Sequence, residues 1–138
     1  MKTMEAYLLF DGNCAEAMRF YERTLAGKLA LVAAKDAPAG SMPPGSGDRT
    51  IHAKLDADGA VLMASDWLSP DPYPGMVGFA VTLTAPTVAD AKGLFDKLAD
   101  GGQVTMPFVK TFYSDGFGML VDRFGTPWMV MSATNTPS

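Results

Sequence analysis

The fold can be read from the stretch Asn13-Cys14-Ala15-Glu16-Ala17-Met18-Arg19-Phe20-Tyr21-Glu22-Arg23-Thr24-Leu25-Ala26-Gly27. It opens on a helix-capping residue type with Glu three positions later. This is a variant capping box, in which Asn13 accepts from a free backbone N–H and Glu16 reaches back. Ala17, Phe20, Tyr21 and Leu25 fall on one face at helical spacing, and Gly27 supplies the stop. The construction returns at Thr87-Val88-Ala89-Asp90, with Ala91, Leu94, Phe95 and Leu98 as the apolar stripe and Gly101-Gly102 as the stop. Asn13 and Thr87, Glu16 and Asp90, Tyr21 and Phe95, and Gly27 and Gly101 are each separated by 74 residues.

The correspondence continues downstream. Leu55-Asp56-Ala57-Asp58-Gly59-Ala60-Val61-Leu62-Met63 parallels Val121-Asp122-Arg123-Phe124-Gly125-Thr126-Pro127-Trp128-Met129 at a separation of 66. The drop from 74 to 66 leaves eight extra residues in the first half, which the Pro- and Gly-rich segment Asp36 to Asp48 can absorb as a loop. A shared cap, stop and hairpin in one order indicate internal duplication. Each half reads as strand, helix, strand, strand, strand.

In the first half the strands are Tyr7 to Phe10 and Lys28 to Ala34, then a hairpin of Ile51 to Asp56 and Ala60 to Ser65. In the second half, Val77 to Leu83 is a strand, Gln103-Val104-Thr105 begins another, and Phe117 to Val121 pairs with Trp128 to Ser132. The expected organisation is one α+β domain over 1–138. Module 1 covers about 4–65, a linker about 66–76 and module 2 about 77–133.

Composition bounds the function. Hydrophobic residues make up 48% of the 138 and charged residues 19%, which describes a chain with a packed core. The net charge is −4 and no basic run occurs, so nucleic acid and anionic membrane are not expected partners. Cys14 is the one cysteine, which excludes an internal disulfide and suits a reducing cytoplasm. The apolar run Ala6 to Phe10 is too short for a signal-peptide core, and no stretch is long enough to span a bilayer.

Two βαβββ modules with Phe20-Tyr21 and Leu94-Phe95 in their helices resemble the vicinal oxygen chelate superfamily, which contains glyoxalase I, extradiol dioxygenases and the fosfomycin and bleomycin resistance proteins. The PhnB-like branch is the closer resemblance. It is carried by Tyr7 to Tyr21, by His52-Ala53-Lys54-Leu55 with Leu62-Met63-Ala64-Ser65-Asp66, and by Phe117 to Val130. The resemblance implies a glyoxalase/bleomycin-resistance-like fold, with tandem modules forming a cupped mixed sheet, helices outside, a cavity inside and a homodimer. In metal-dependent members the ligands stand on the first and last strand of each module. The matching last-strand positions here are Met129 and its duplicate Met63, and the first-strand positions fall near Ala6 or Tyr7 and near Ala80 or Val81. None is His, Glu or Asp, and a thioether suits soft Cu(I) rather than Zn, Fe, Mn or Ni. No metal and no cofactor are therefore expected. PhnB-like proteins are often named ubiquinone methyltransferases, but this chain has no glycine-rich strand-to-helix turn followed by a ribose-binding acid.

Tyr7, His52, Met63, Tyr113 and Met129 are the expected pocket residues. His52 alternates with Ile51, Ala53 and Leu55, so it shares the cavity face with Lys54 and Asp56. As a wall residue it is a weak candidate for acid–base catalysis, and a hydrogen-bonded structural role is the leading reading. Cys14, just inside a helix N-terminus, reads as an inert thiol ahead of a nucleophile. Ser114-Asp115 reads as a turn, and Asp56 and Asp122 read as turn acceptors. Met63, Met106, Met119, Met129 and Met131 fill core, or line a cavity that accepts apolar ligands. Gly45-Ser46-Gly47 is no phosphate loop. The leading functional expectation is metal-free binding of a small, partly apolar molecule. The alternative is a glyoxalase- or dioxygenase-related enzyme using His52.

Overall fold

The computed structural model describes residues 2–133. The chain divides into two compact units between Gly75 and Met76. The first runs β1 (Ala6–Phe10), α1 (Cys14–Leu25), β2 (Lys28–Ala33), a 3-10 turn (Ala34–Asp36), β3 (Thr50–Ala57) and β4 (Ala60–Asp66). The second runs β5 (Val81–Ala85), α2 (Val88–Ala99), β6 (Gln103–Val109), β7 (Phe117–Val121) and β8 (Pro127–Ser132). Each unit folds one four-stranded mixed sheet, ordered β1-β4-β3-β2 in the first and β5-β8-β7-β6 in the second. The first strand lies parallel to the last, and the other pairs are antiparallel. The α+β class, the tandem βαβββ modules and the duplication are as expected.

Each helix packs on one face of its own sheet. In the first unit Ala17, Met18, Phe20 and Tyr21 are buried against a core that includes Leu8, Phe10, Ala53, Leu55, Leu62 and Ala64. In the second, Ala91, Phe95 and Leu98 meet a core with Leu120, Trp128 and Val130. A Cβ on Gly118 would come within 2.6 Å of the Phe95 ring, so the bare backbone of β7 is what lets that ring lie on the sheet. The stop after α1 works differently from expectation. Ala26 takes the left-handed conformation (φ 53°), and Gly27 is needed because a Cβ there would stand 2.8 Å from the carbonyl oxygen of Asp56. The β3–β4 hairpin turns on Asp58 (φ 53°) and Gly59 (φ 86°), the positive pair that matches strand twist.

Two boundaries and one cap differ from the sequence reading in ways that matter for the fold. The first strand of the second unit starts at Val81, not Val77, because Gly78 sits at φ 82° and breaks the extended run. Asp66 is not linker but the end of β4. The capping box at Asn13 does not form, since its side chain makes no cap hydrogen bond. Asp66 takes that place from across the fold. Its Oδ1 accepts from the N–H groups of Gly12 (2.8 Å) and Cys14 (3.0 Å), and its Oδ2 accepts from Thr50 (2.8 Å). The cap on α2 does form locally: Thr87 Oγ1 accepts from Asp90 N–H at 3.1 Å.

Replacing Asp66 by Ala strands donors in three segments and should cost about 3–5 kcal/mol in urea denaturation, whereas Asn13→Ala should cost no more than about 0.5 kcal/mol. A larger loss for the Asn13 variant than for the Asp66 variant would assign the cap back to Asn13.

Candidate functional site

The face of the first sheet turned away from α1 carries the polar candidates. Helix-side Ala53 and Leu55 are buried, so period-two alternation sends His52, Lys54 and Asp56 to the opposite face. Tyr7 pairs with Met63, and Met63 pairs with Lys54, which places these three in one row across β1, β4 and β3. From β1 the Tyr7 hydroxyl reaches over β4 to lie 3.1 Å from His52 Nδ1, with the two rings 5.8 Å apart and tilted by 30°. His52 and Met63 are half-buried, and Tyr7 is 44% exposed. Three of the five expected pocket residues thus gather on one face. The sequence reading found no partner for His52 because Tyr7 stands 45 positions away.

The corresponding face of the second sheet is mostly apolar. Met129 lies between Met119 and Thr82, while Met131 lies opposite Phe117 on one side and Thr84 on the other. Tyr113 stands edge-on to Phe117 (5.5 Å) and to Phe112 (4.9 Å), and is 48% exposed. Ser114 belongs to a turn: its carbonyl accepts from Thr111 N–H, and its hydroxyl donates to Gly116 O.

The strand register tests the metal positions. Met63 faces Tyr7, and Met129 faces Thr82, one residue beyond the expected Val81. Thioether, phenol and hydroxyl donors do not fit the imidazole-and-carboxylate set that Zn, Fe, Mn or Ni requires. Among the described residues no group of three or more His, Cys, Asp or Glu converges.

The acidic turn residues act on backbone. Asp56 Oδ1 accepts from Gly59 N–H at 3.0 Å. Asp122 is buried and accepts from the N–H groups of Phe124 (2.9 Å) and Thr126 (3.0 Å) and from Trp128 Nε1 (2.8 Å). Cys14 is fully buried. Burial first, and then the Asp66 carboxylate, push its thiol up from 9.0 to about 12, the opposite of what a nucleophile needs.

The model of the glyoxalase/bleomycin resistance protein/dioxygenase superfamily matches residues 3–130. The chain belongs to that superfamily, and within it to the PhnB-like branch. It is 33% identical to protein YjdN of Escherichia coli over 98% of both chains. Among solved structures it is similar to protein PA1353 of Pseudomonas aeruginosa (40% identity, TM-score 0.90, 96% of this chain and 98% of that one). It is also similar to a PhnB protein of Bacillus cereus described as a putative 3-demethylubiquinone-9 3-methyltransferase (26% identity, TM-score 0.76, 96% and 100% covered).

The buried thiol yields a direct check. Native protein at pH 8 should leave Cys14 unlabelled by a disulfide reagent over minutes, while the urea-unfolded chain reacts at once. Between 9.0 and about 12 the unfolded chain releases the thiol proton and the folded chain keeps it, so stability should fall as pH rises through that window. Rapid native labelling at pH 8 would contradict the burial.

Proposed function

We propose that this chain binds a small, partly apolar molecule on the sheet faces turned away from its helices, without a divalent metal. One observation carries the reading: where metal-dependent members of the superfamily place ligands, Met63 faces Tyr7 and Met129 faces Thr82. Half-buried methionines and aromatic rings offer adaptable apolar contact, and His52 with Tyr7 offers a polar anchor. Tyr7, His52 and Met63 are the proposed ligand residues of the first unit, and Tyr113 and Met129 those of the second. The methyltransferase name of the Bacillus cereus protein is not carried over, since no glycine-rich nucleotide-binding turn accompanies it here.

A second reading has an observation of its own. The Tyr7–His52 hydrogen bond orients an imidazole, the side chain that a proton-transferring enzyme of glyoxalase or dioxygenase ancestry would use. We further propose a cytoplasmic homodimer. The single cysteine suits a reducing compartment. The edge strands of each sheet offer unpaired backbone to a second copy. Among the described residues no helix is long and apolar enough to cross a membrane.

Elemental analysis of protein purified without added metal should find well under one Zn, Mn, Fe or Ni per chain, and close to one would overturn the metal-free reading. A small-molecule screen on wild type and His52→Ala separates the two readings. Altered binding with no turnover in either protein supports the binder, whereas an active wild type and a folded, inactive variant establish the enzyme. Light scattering should report a dimer; a mass of one chain, unchanged on tenfold concentration, would exclude it.

A further inference from the structure

The open face of the first sheet holds an unbalanced cation. Lys54 stands on β3 with Met63 opposite on β4 and Ala30 opposite on β2, so both cross-strand neighbours are uncharged. The other charged pair on this face is self-matched: Lys28 lies directly opposite Asp56, whose Oδ1 also accepts from Gly59. Among the described residues Lys54 has no carboxylate partner. In a chain of net charge −4 this leaves a local excess of positive charge beside a half-buried apolar side chain.

His52 adds a second donor. It lies two residues from Lys54 on the same strand, so both side chains rise from one face. In the tautomer whose Nδ1 accepts from the Tyr7 hydroxyl, His52 carries its ring N–H on Nε2. The strand then presents an N–H and an ammonium side by side, with the Met63 thioether between Lys54 and the Tyr7 ring.

We propose that this face selects a ligand with an oxyanion head group joined to an apolar body, the head held by Lys54 and His52 and the body laid over Met63 and Tyr7. The inference rests on the reading above that this face binds a small molecule, and adds its charge class. Two donors fit the two oxygens of a carboxylate, sulfonate or phosphonate, and charge-assisted hydrogen bonds of this kind are the strong ones.

Two fluorescent probes share one aryl body and differ in charge: the anion 1-anilinonaphthalene-8-sulfonate and its uncharged parent N-phenyl-1-naphthylamine. Lys54 is exposed, so its replacement leaves the fold intact. In Lys54→Gln the affinity for the sulfonate should fall about tenfold, while that for the neutral dye stays within about twofold. Lys54→Arg should restore the sulfonate, and Lys35→Gln, an exposed lysine in the 3-10 turn, should leave it unchanged. Equal weakening of both dyes, no effect on the sulfonate, or an equal effect from Lys35→Gln would overturn the charge assignment while leaving small-molecule binding intact. If neither dye binds the wild type, the binding reading itself falls, and this inference with it.

Discussion

The carboxylate of Asp66 is the interaction on which the first unit depends. It ends β4, is 1% exposed, and accepts from three backbone N–H groups. Those donors come from the turn before α1, the first residue of the helix and the first residue of β3. Burying a charge is costly unless donors surround it, and three N–H groups supply that compensation. The same contacts join helix entry to two strands. Neighbouring bonds extend the join: Trp67 N–H donates to Phe10 O at 2.7 Å, and Arg49 bridges Trp67 O and Asp11, each at 3.0 Å. The negative charge also reaches outward: it adds to burial in raising the pKa of the Cys14 thiol, and to burial and Asp11 in raising that of the Tyr73 hydroxyl.

The second unit solves the same problem at a different place. The residue equivalent to Asp66 is Ser132, whose N–H donates to Gly116 O. The buried carboxylate there is Asp122, directly after β7, with two backbone donors and the Trp128 indole. Its own counterpart in the first unit, Asp56, is exposed and accepts from Gly59 in its hairpin. Each repeat therefore builds around one buried anion with three donors, but the anion closes the helix entry in one and the last hairpin in the other. Local capping follows from that difference. Thr87 caps α2 with its own side chain, whereas Asn13 has no cap bond because its helix entry is already served from β4.

What could be read from the sequence was local. Helical stripes and the Ala57-Asp58-Gly59 turn depend on neighbours within a few positions, and the repeat shows the same local pattern twice; these located both helices and both hairpins. The Asn13 cap failed because its competitor lies more than fifty residues away. The early start at Val77 failed because one glycine dihedral outweighs an apolar run. The site divides in the same way. Strand alternation placed His52 on the face away from the helix, but its hydroxyl partner comes from the edge strand β1, two strands away, and leaves no sequence signal. Family resemblance supplied Tyr7 and Met63 where spacing could not, and the register sets them directly opposite one another. Met119 and Met131 were read as core filling or as cavity lining, and the register draws both into the apolar patch around Met129 and Phe117.

Comparing the two repeats separates what folding requires from what it leaves open. Toward the helices they agree: each buries aromatic and aliphatic side chains from the helix and from alternate strand positions, and each lacks a side chain where strand and helix end approach, at Gly27 and Gly102. On the opposite faces they part. Tyr7, His52, Lys54 and Asp56 occupy the first, while Thr82, Met119, Met129 and Met131 occupy the second. A face that only had to close a core would need neither a hydrogen-bonded histidine nor a charge between apolar strands, since both weaken packing. The helix-side pattern accounts for the architecture without these residues. These faces are therefore the part of each repeat that the core leaves open to vary, and the two repeats differ there, polar in the first and mostly apolar in the second.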